Sequence, residues 1–369
     1  MRLFLTKPKS LLGIAFNDRK VSLVELAFKK KKYHLLTYGI IELAEGEVID
    51  NQIIDSERMG HQIAKLVAQL NCKTQQAATA LSDNLVITRE IDMPAELIEL
   101  DIDAQIRVDA DQYIPYPLSE VSLDFEVLGQ SDLGFDFNKI LLVVSRTEYL
   151  DQYCDALVFG GLKPNIIDID REAKQRVLQF ILQNGNSNSN DSIVTDSTNI
   201  TVLVDIGHNR STVYIAHHGQ FEYQVEQLFG SSHLTRSIAS HYDLSADAAE
   251  QASLNLQSLS NKNELDWEET IWQPFIDTLI EYIKVAFEQY ALTDPDCEIE
   301  HILLSGEGSQ LPNLDSSLQR QMNLPVYLVN PFSSMVIDSS IDTQNLLKQA
   351  SQLMTACGLA MRCQMSKPY

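Results

Sequence analysis

Apolar and polar positions follow two different periods along this chain, and the points where one gives way to the other mark its elements. Leu11-Leu-Gly-Ile-Ala-Phe16 and Val21-Ser-Leu-Val-Glu-Leu26 flank polar Asn17-Asp-Arg-Lys20, predicting strand, turn and strand. A second turn at Lys29–Lys32 leads into Tyr33–Ile41 and extends an antiparallel meander; its four lysines read as a solvated tip, with a membrane-surface contact as the other reading. Met59, Ile63, Leu66, Val67 and Leu70 recur at helical spacing over Ser56–Leu70. Ala77–Leu81 and Leu85–Ile91 read as strands, after which Met93-Pro94 is expected to break the run and open an acidic helical region through Tyr113. Ile114-Pro-Tyr-Pro117 ends it, because proline supplies no amide donor and pushes its predecessor out of helical geometry.

Val121–Val127 and Lys139–Ser145 read as strands separated by a Gly/Asp loop. A helix over Glu148–Phe159 stops at Gly160-Gly161, Ile166–Ile169 forms a buried strand, and Arg171–Leu182 a further helix. The tract from Asn184 to about Asn199 is too polar to pack, so the main domain boundary is placed there. Beyond it, Thr201–Ile215 again reads as a hairpin and Gln220–Leu228 as a strand. Helices follow over His233–Tyr242, Ser245–Leu254 and Thr270–Ala291. Glu298–Leu304 and Val326–Val329 are strands, Leu311–Leu314 opens a helix, and Leu346–Arg362 closes the pattern as one apolar helix.

Composition narrows what this chain can do. With 369 residues, 44% hydrophobic and 21% charged, it reads as a globular protein of more than one domain. A formal net charge of -23 opposes nucleic-acid phosphates, so nucleic acid is excluded as a partner. Cys72, Cys154, Cys297, Cys357 and Cys363 are scattered without metal-ligand or disulfide spacing, which suits a reducing compartment. Lysine and proline interrupt the apolar residues of Met1–Gly13, unlike a signal peptide, and no run approaches the ~20 apolar residues of a membrane span.

The candidate chemistry lies in the hairpin turns. In Val204-Asp-Ile-Gly207, Gly207 permits close backbone approach, the amides around Asn209, Arg210 and Ser211 could cradle an anion, and Asp205 could hold a cation with its water. Alone, the stretch also reads as an ordinary hairpin with polar turn chemistry. The strand-turn-strand opening recurs at Gly13 and at Asp205, each time followed by helices and strands, which implies an internal duplication whose turns face one another across a cleft. A third glycine turn, Gly306-Glu-Gly308, is placed to close that cleft. No GxxxxGK[ST] motif is present.

On these motifs the chain resembles the actin-like ATPase superfamily and, within it, the PilM family of type IV pilus assembly. Val204–Gly207 resembles the second phosphate motif, Leu303–Pro312 the adenosine motif, and Gly13–Asn17 stands in place of the first phosphate motif. Marks of the closer family are Asp109-Ala-Asp-Gln-Tyr-Ile-Pro-Tyr-Pro117, Val121-Ser-Leu-Asp-Phe125, Gly160-Gly-Leu-Lys-Pro164, Ile167-Asp-Ile-Asp170 and Cys357-Gly-Leu-Ala-Met-Arg362. The resemblance implies a two-lobed α/β fold of duplicated RNase H-like lobes. The first lobe is expected over 1–195, with an inserted subdomain at about 85–145 and the polar tract at about 184–199. The second is expected over 196–369, with a helical subdomain at about 230–297. It also implies a nucleotide site at Asn17, Asp18, Asp205, Gly207, His208, Asn209, Gly230, Ser231, Glu250, Gly306, Glu307 and Gly308, with ATP and with magnesium at Asp205.

Departures from the family pattern weaken that site. Ala15 stands where the family has an acid and Asn17 where it has a glycine, with Asp18 or Ser22 the candidates to compensate. Gly230-Ser231 replaces a glycine pair, Glu307 places a carboxylate beside the expected phosphates, and the lysine expected after Glu250 is missing, with Ser253 near its place. No general base is identifiable; His208 and His233 qualify by chemistry alone.

The implied role is that of a cytosolic adaptor, recruited to the inner face of the inner membrane, which supports pilus biogenesis, twitching motility and DNA uptake. It would bind the N-terminal cytoplasmic peptide of a PilN-like protein, with pilus motor ATPases and the platform protein as further partners and self-association left open. Tyr113, Ile114, Tyr116 and Pro117 are the candidate peptide contacts; a packed corner is their other reading. An active Mg-ATPase driven by lobe closure and an FtsA-like division adaptor are the alternatives. The second expects a membrane helix after a linker, whereas Ser366–Tyr369 follows the last helix directly. Sugar kinases share the core, but no counterpart of their catalytic aspartate is visible.

Overall fold

Two hairpins of matching geometry begin the two halves of the molecule. A computed structural model describes residues 10–184, 200–255, 267–293, 295 and 297–364. In the first half β1 (Leu11–Phe16), β2 (Lys20–Lys29) and β3 (Lys32–Glu42) form an antiparallel meander. Lys30 and Lys31 make the tight turn between β2 and β3 in left-handed conformation, with φ 51° and 61°, the geometry that matches strand twist in a two-residue hairpin. After a short hairpin of β4 (Val48–Ile49) and β5 (Gln52–Ile53), β6 (Gln76–Leu81) adds parallel to β1, and β10 (Lys163–Ile169) parallel to β6.

The second half repeats this plan. β11 (Ile200–Ile206), β12 (Ser211–His217) and β13 (Gln220–Gln227) are antiparallel; β14 (Ile299–Ser305) and β15 (Val326–Leu328) follow in parallel. The strand orders β3-β2-β1-β6-β10 and β13-β12-β11-β14-β15 correspond one to one, so the duplication expected from the recurring hairpins is present in the topology.

Alternation along each strand sends neighbouring residues to opposite faces and builds a layered core. Leu12 and Ile14 pack against α1 (Ser56–Gln69) and α4 (Thr147–Phe159) through Met59, Ile63 and Tyr153. Val202, Val204 and Ile206 face α6 (Ser231–Tyr242), α7 (Ala246–Leu254) and α8 (Gln273–Ala291), the last entered through a π-helical turn. Between the sheets lies α5 (Asp170–Asn184), whose Val177, Leu178 and Ile181 join Val24 and Leu26 to Leu203 and Tyr214. Beside α5 sits Met354–Ala360, packed so closely that a Cβ on Gly13 would lie 2.0 Å from the Ala356 carbonyl.

Three sequence expectations need correction. The strand Val86–Pro94 (β7) runs through Met93-Pro94 rather than breaking there, because Pro94 is its terminal residue opposite Phe137. The expected Gly/Asp loop is largely strand: β8 (Val121–Ser131) and β9 (Gly134–Arg146) leave only Asp132 and Leu133 between them, a shift at Val127/Gly129 absorbing the irregularity. The single closing helix is divided into Thr343–Gln349, a 3-10 turn at Ala350–Leu353, Met354–Ala360 and a last 3-10 turn. The 3-10 turn carries Ser351, whose carbonyl accepts the Gly306 amide.

β7, β9 and β8 form a separate sheet over α2 (Glu99–Val108) and α3 (Ala110–Tyr113), with its own core of Ile91, Ile102, Ile106, Ile140 and Leu142. Residues of the final stretch return to the first sheet: β16 (Val336–Ile337) pairs with β3, and Met354 and Cys357 join the core between the sheets. The polar tract at 185–199, with the boundary placed in it, the start at 1–9 and the tail Ser366–Tyr369 lie outside the described residues.

Candidate functional site

The β1–β2 and β11–β12 turns face each other across a cleft of ≈ 130 Å³, lined by Asn17, Asp18, Asp205, Gly207, His208, Asn209, Gly306 and Glu307 among others. Gly230, Ser231, Glu250 and Gly308 are not among the residues that line it. Each turn spans four residues: Phe16 pairs with Val21, and Ile206 with Ser211. Both are closed by the same backbone bond, Asn17 N to Lys20 O at 3.0 Å and Gly207 N to Arg210 O at 2.8 Å.

Local side chains consume the first turn's donors. Asn17 Oδ1 accepts the amides of Arg19 at 3.0 Å and Lys20 at 2.7 Å, an Asx-type closure. Asp18 accepts from Asn209 Nδ2 at 2.8 Å, tying the turns together. Arg19 reaches Glu250 at 3.0 Å and Lys20 reaches Gln352 Oε1 at 3.0 Å. Glu250 therefore faces an arginine of the opposite turn.

The second turn is sealed differently. Asp205 Oδ1 accepts the Ser305 hydroxyl at 2.7 Å, and Oδ2 lies 2.5 Å from Lys174 Nζ. Lys174 also lies 2.5 Å from Asp170 Oδ2, one helical turn back on α5, and 5.6 Å above the Tyr214 ring. It is 5% exposed, and although burial pushes its ammonium pKa down, Asp170 and Asp205 outweigh that and hold it well above the usual lysine value. The first-turn amides of α6 are used as well: Ser231 N donates to Gly207 O at 3.0 Å and Ser232 N to His208 O at 2.9 Å. Gly230 permits that approach, since a Cβ there would meet the His208 carbonyl at 2.4 Å.

The third turn brings Glu307 inward. Gly306 adopts φ +81° with Ile206 O 2.4 Å from where a Cβ would stand, and Gly308 packs on Ile206. Glu307 meets His208 Nδ1 at 3.2 Å and Lys20 Nζ at 3.5 Å, and Ser231 Oγ donates to it at 3.4 Å. Burial pushes its carboxyl up, but the His208 hydrogen bond and the Lys20 charge win and hold it below its usual value. His233 accepts the Gly230 amide at 3.3 Å and is held low by burial and Arg236, so it is a capping group in this arrangement.

In this arrangement the groups expected at magnesium and phosphate are engaged with one another. The cleft is smaller than the roughly 300–1,000 Å³ of ligand pockets. Its lining carries three basic side chains, Lys20, Lys174 and Arg210, against five acidic ones. Magnesium needs oxygen ligands at about 2.0–2.1 Å, and an ammonium already stands on the Asp205 oxygen.

The candidate peptide contacts lie elsewhere, on the three-stranded subdomain. Ile114 is 4% exposed and belongs to that subdomain's core, with Tyr113 packed against it, whereas Tyr116 and Pro117 are exposed. The Arg146 guanidinium sits 5.9 Å from the Tyr116 ring centroid. Sequence reasoning missed Lys174, Asp170, Lys20 and Ser351. The signal for the first two was present as an i,i+4 carboxylate-lysine pair, but nothing in the sequence placed it opposite Asp205.

Comparison with known proteins follows the same lines. A chain of the solved "PilM-PilN type IV pilus biogenesis complex" matches with TM-score 0.78 at 20% identity, covering 96% of this chain and 99% of that one. The ethanolamine utilization protein EutJ from Carboxydothermus hydrogenoformans matches with TM-score 0.55 at 13% identity, over 96% and 90%. The family described as type IV pilus assembly protein PilM matches residues 13–364. On that match the chain belongs to the PilM family of type IV pilus assembly proteins, and it carries the actin-like ATPase fold.

Proposed function

We propose that this chain is a cytosolic adaptor of a type IV pilus inner-membrane platform that docks the N-terminal cytoplasmic peptide of a PilN-like protein and does not turn over ATP. The observation that carries this reading is the whole-length likeness to a chain of the PilM–PilN complex, within a family match over residues 13–364. Among the described residues no helix is long and apolar enough to cross a membrane, so recruitment would come through the partner.

The docking place we assign is the open edge of β8 beside Tyr116 and Pro117. Among the described residues β8 pairs only with β9, leaving backbone groups for an added extended strand. Leu123, Phe125 and Val127 alternate along it, the first two half-buried and Val127 42% exposed. Tyr116 is an aromatic anchor at one end of that row. The sealed cleft supports the non-catalytic half of the reading: Asp205 is neutralised by Lys174, and the only histidine on the turns, His208, is engaged by Glu307.

Calorimetric titration of the full chain with the partner's N-terminal peptide tests this. Saturable binding that Tyr116→Ala weakens by a hot-spot increment of about 2 kcal/mol is expected. Absence of saturable binding, with the circular dichroism spectrum intact, removes the reading.

A further inference from the structure

We propose that the Lys174 ammonium occupies the place of a divalent cation between Asp170 and Asp205 and clasps the two lobes in the closed state without nucleotide or metal. Lys174 and Asp170 lie on α5, the helix between the sheets, which follows the first sheet's β10 in the chain and packs on both sheets, while Asp205 lies at the end of β11 of the second sheet. Nζ is 2.5 Å from each carboxylate, so one cation spans elements of both halves. The remaining oxygens are saturated by hydroxyls: Asp170 Oδ1 takes Thr355 at 2.6 Å and Asp205 Oδ1 takes Ser305 at 2.7 Å. This is a site built around a charge, with two carboxylates aimed at one point, outer donors fixing both, and the Tyr214 ring beneath. The charge it holds is covalently attached to the chain, so it cannot dissociate or be exchanged by a nucleotide's metal.

The neighbouring latches agree with a closed state that needs no ligand. Asn209 to Asp18, Arg210 to Asp50 at 2.5 Å and Lys20 to Glu307 all cross the same cleft from protein to protein. A metal-linked triphosphate entering here would have to displace Lys174 from two carboxylates and bring its own negative charge toward Glu307. Opening and closing are therefore governed by what pulls the lobes, not by loading and hydrolysis of ATP.

Manganese serves as the test probe, because free Mn²⁺ is counted directly by electron paramagnetic resonance. The wild-type chain is expected to show no saturable Mn²⁺ binding, with or without ATP, at millimolar concentrations. Lys174→Gln removes the charge and keeps a polar side chain. It should gain one saturable site with a Kd on the order of a hundredfold below the millimolar range in which the wild type shows none, the effect of removing a unit charge at contact distance. Adding Asp205→Asn should abolish that site. A second readout leaves Lys174 untouched: Asp205→Asn alone should raise the radius of gyration in small-angle scattering, with secondary structure retained.

Saturable wild-type Mn²⁺–ATP binding that Asp205→Asn abolishes would overturn the proposal. So would a folded Lys174→Gln chain that stays indifferent to Mn²⁺, or an Asp205→Asn chain as compact as the wild type. The peptide titration fails or succeeds independently, so an overturned clasp leaves the adaptor reading standing.

Discussion

The β1–β2 and β11–β12 turns are the same backbone device with different side chains. Both span four residues, and both close through an amide-to-carbonyl bond three residues apart. Position by position, Ala15 answers to Asp205, Asn17 to Gly207 and Lys20 to Arg210. The first turn has Ala15 where the second has an acid and covers two of its amides with Asn17; the second has its acid covered by Lys174. Two turns of one backbone geometry are thus closed from within by different side chains, while the strands around them correspond one to one. Backbone geometry records what the fold was built for, and side-chain occupancy decides what it does now.

Breaking the second seal should have the largest effect. In Lys174→Ala two carboxylates face each other with no counter-charge, and removal of one partner from a buried ion cluster costs about 3–5 kcal/mol. Urea unfolding measures the loss, and adding Asp205→Asn should restore part of it. The lysine's folded pKa lies above its unfolded value of 10.5. Its stabilisation is therefore fully present below that value and is lost only as pH rises through the higher folded one. Wild-type stability should show no Lys174 contribution to pH dependence between pH 6 and 9; a neutral-range transition that vanishes in Lys174→Gln would contradict the seal.

Acid should separate the two sheets next. His301 on β14 stands where the first sheet, in matched register, has Gln76 on β6. Burial alone pushes its pKa down to about 4 from 6.5. A lowered base contributes stability above 6.5 that is lost as pH falls from there through 4, about 3 kcal/mol by linkage. The midpoint in urea should drop over that window and drop less in His301→Gln.

How far this was legible in the sequence depends on the range of the signal. The hairpins, α1 and the recurring strand-turn-strand opening came from periodicities of two and 3.6, which report burial of one face. The β7–β9–β8 sheet was only half visible. Pro94 and the Gly129/Gly134 stretch read as breakers, yet a terminal proline and a bulge are both tolerated at strand ends. For the site, glycines and Asp205 were found because turns need them locally. Lys174 was hidden, since its meaning depends on contact between residues 31 positions apart. Glu250 was assigned to the nucleotide site by resemblance, whereas here it pairs with Arg19 of the first turn.

A smaller effect tests the first seal. Asn17→Ala removes one oxygen that accepts two amides, and a hydrogen bond is worth about 0.5–1.5 kcal/mol net. The turn is partly solvated, so a loss of about 1 kcal/mol is expected in urea unfolding. Asn17→Asp, which keeps the acceptor, should be nearly neutral. If both variants lose equally, Asn17 is not held for its oxygen and the first turn is closed by backbone alone.

The smallest expected effect sharpens the comparison furthest, because it asks whether the first turn is coupled to the second half. Arg19 and Glu250 meet at 3.0 Å with side-chain exposures of 29% and 44%, joining the first turn to α7. Exposed pairs of this kind couple by about 0.2–1 kcal/mol, since solvent and salt screen them and two long side chains lose freedom. A double-mutant cycle with Arg19→Gln and Glu250→Gln should return a coupling in that range, shrinking as salt rises from 0.05 to about 0.5 M. A coupling well above 1 kcal/mol, or one insensitive to salt, would mean the pair acts as a buried latch comparable to Lys174 and Asp205. The two turns would then contribute equally to closure, and the asymmetry between them would be one of chemistry alone.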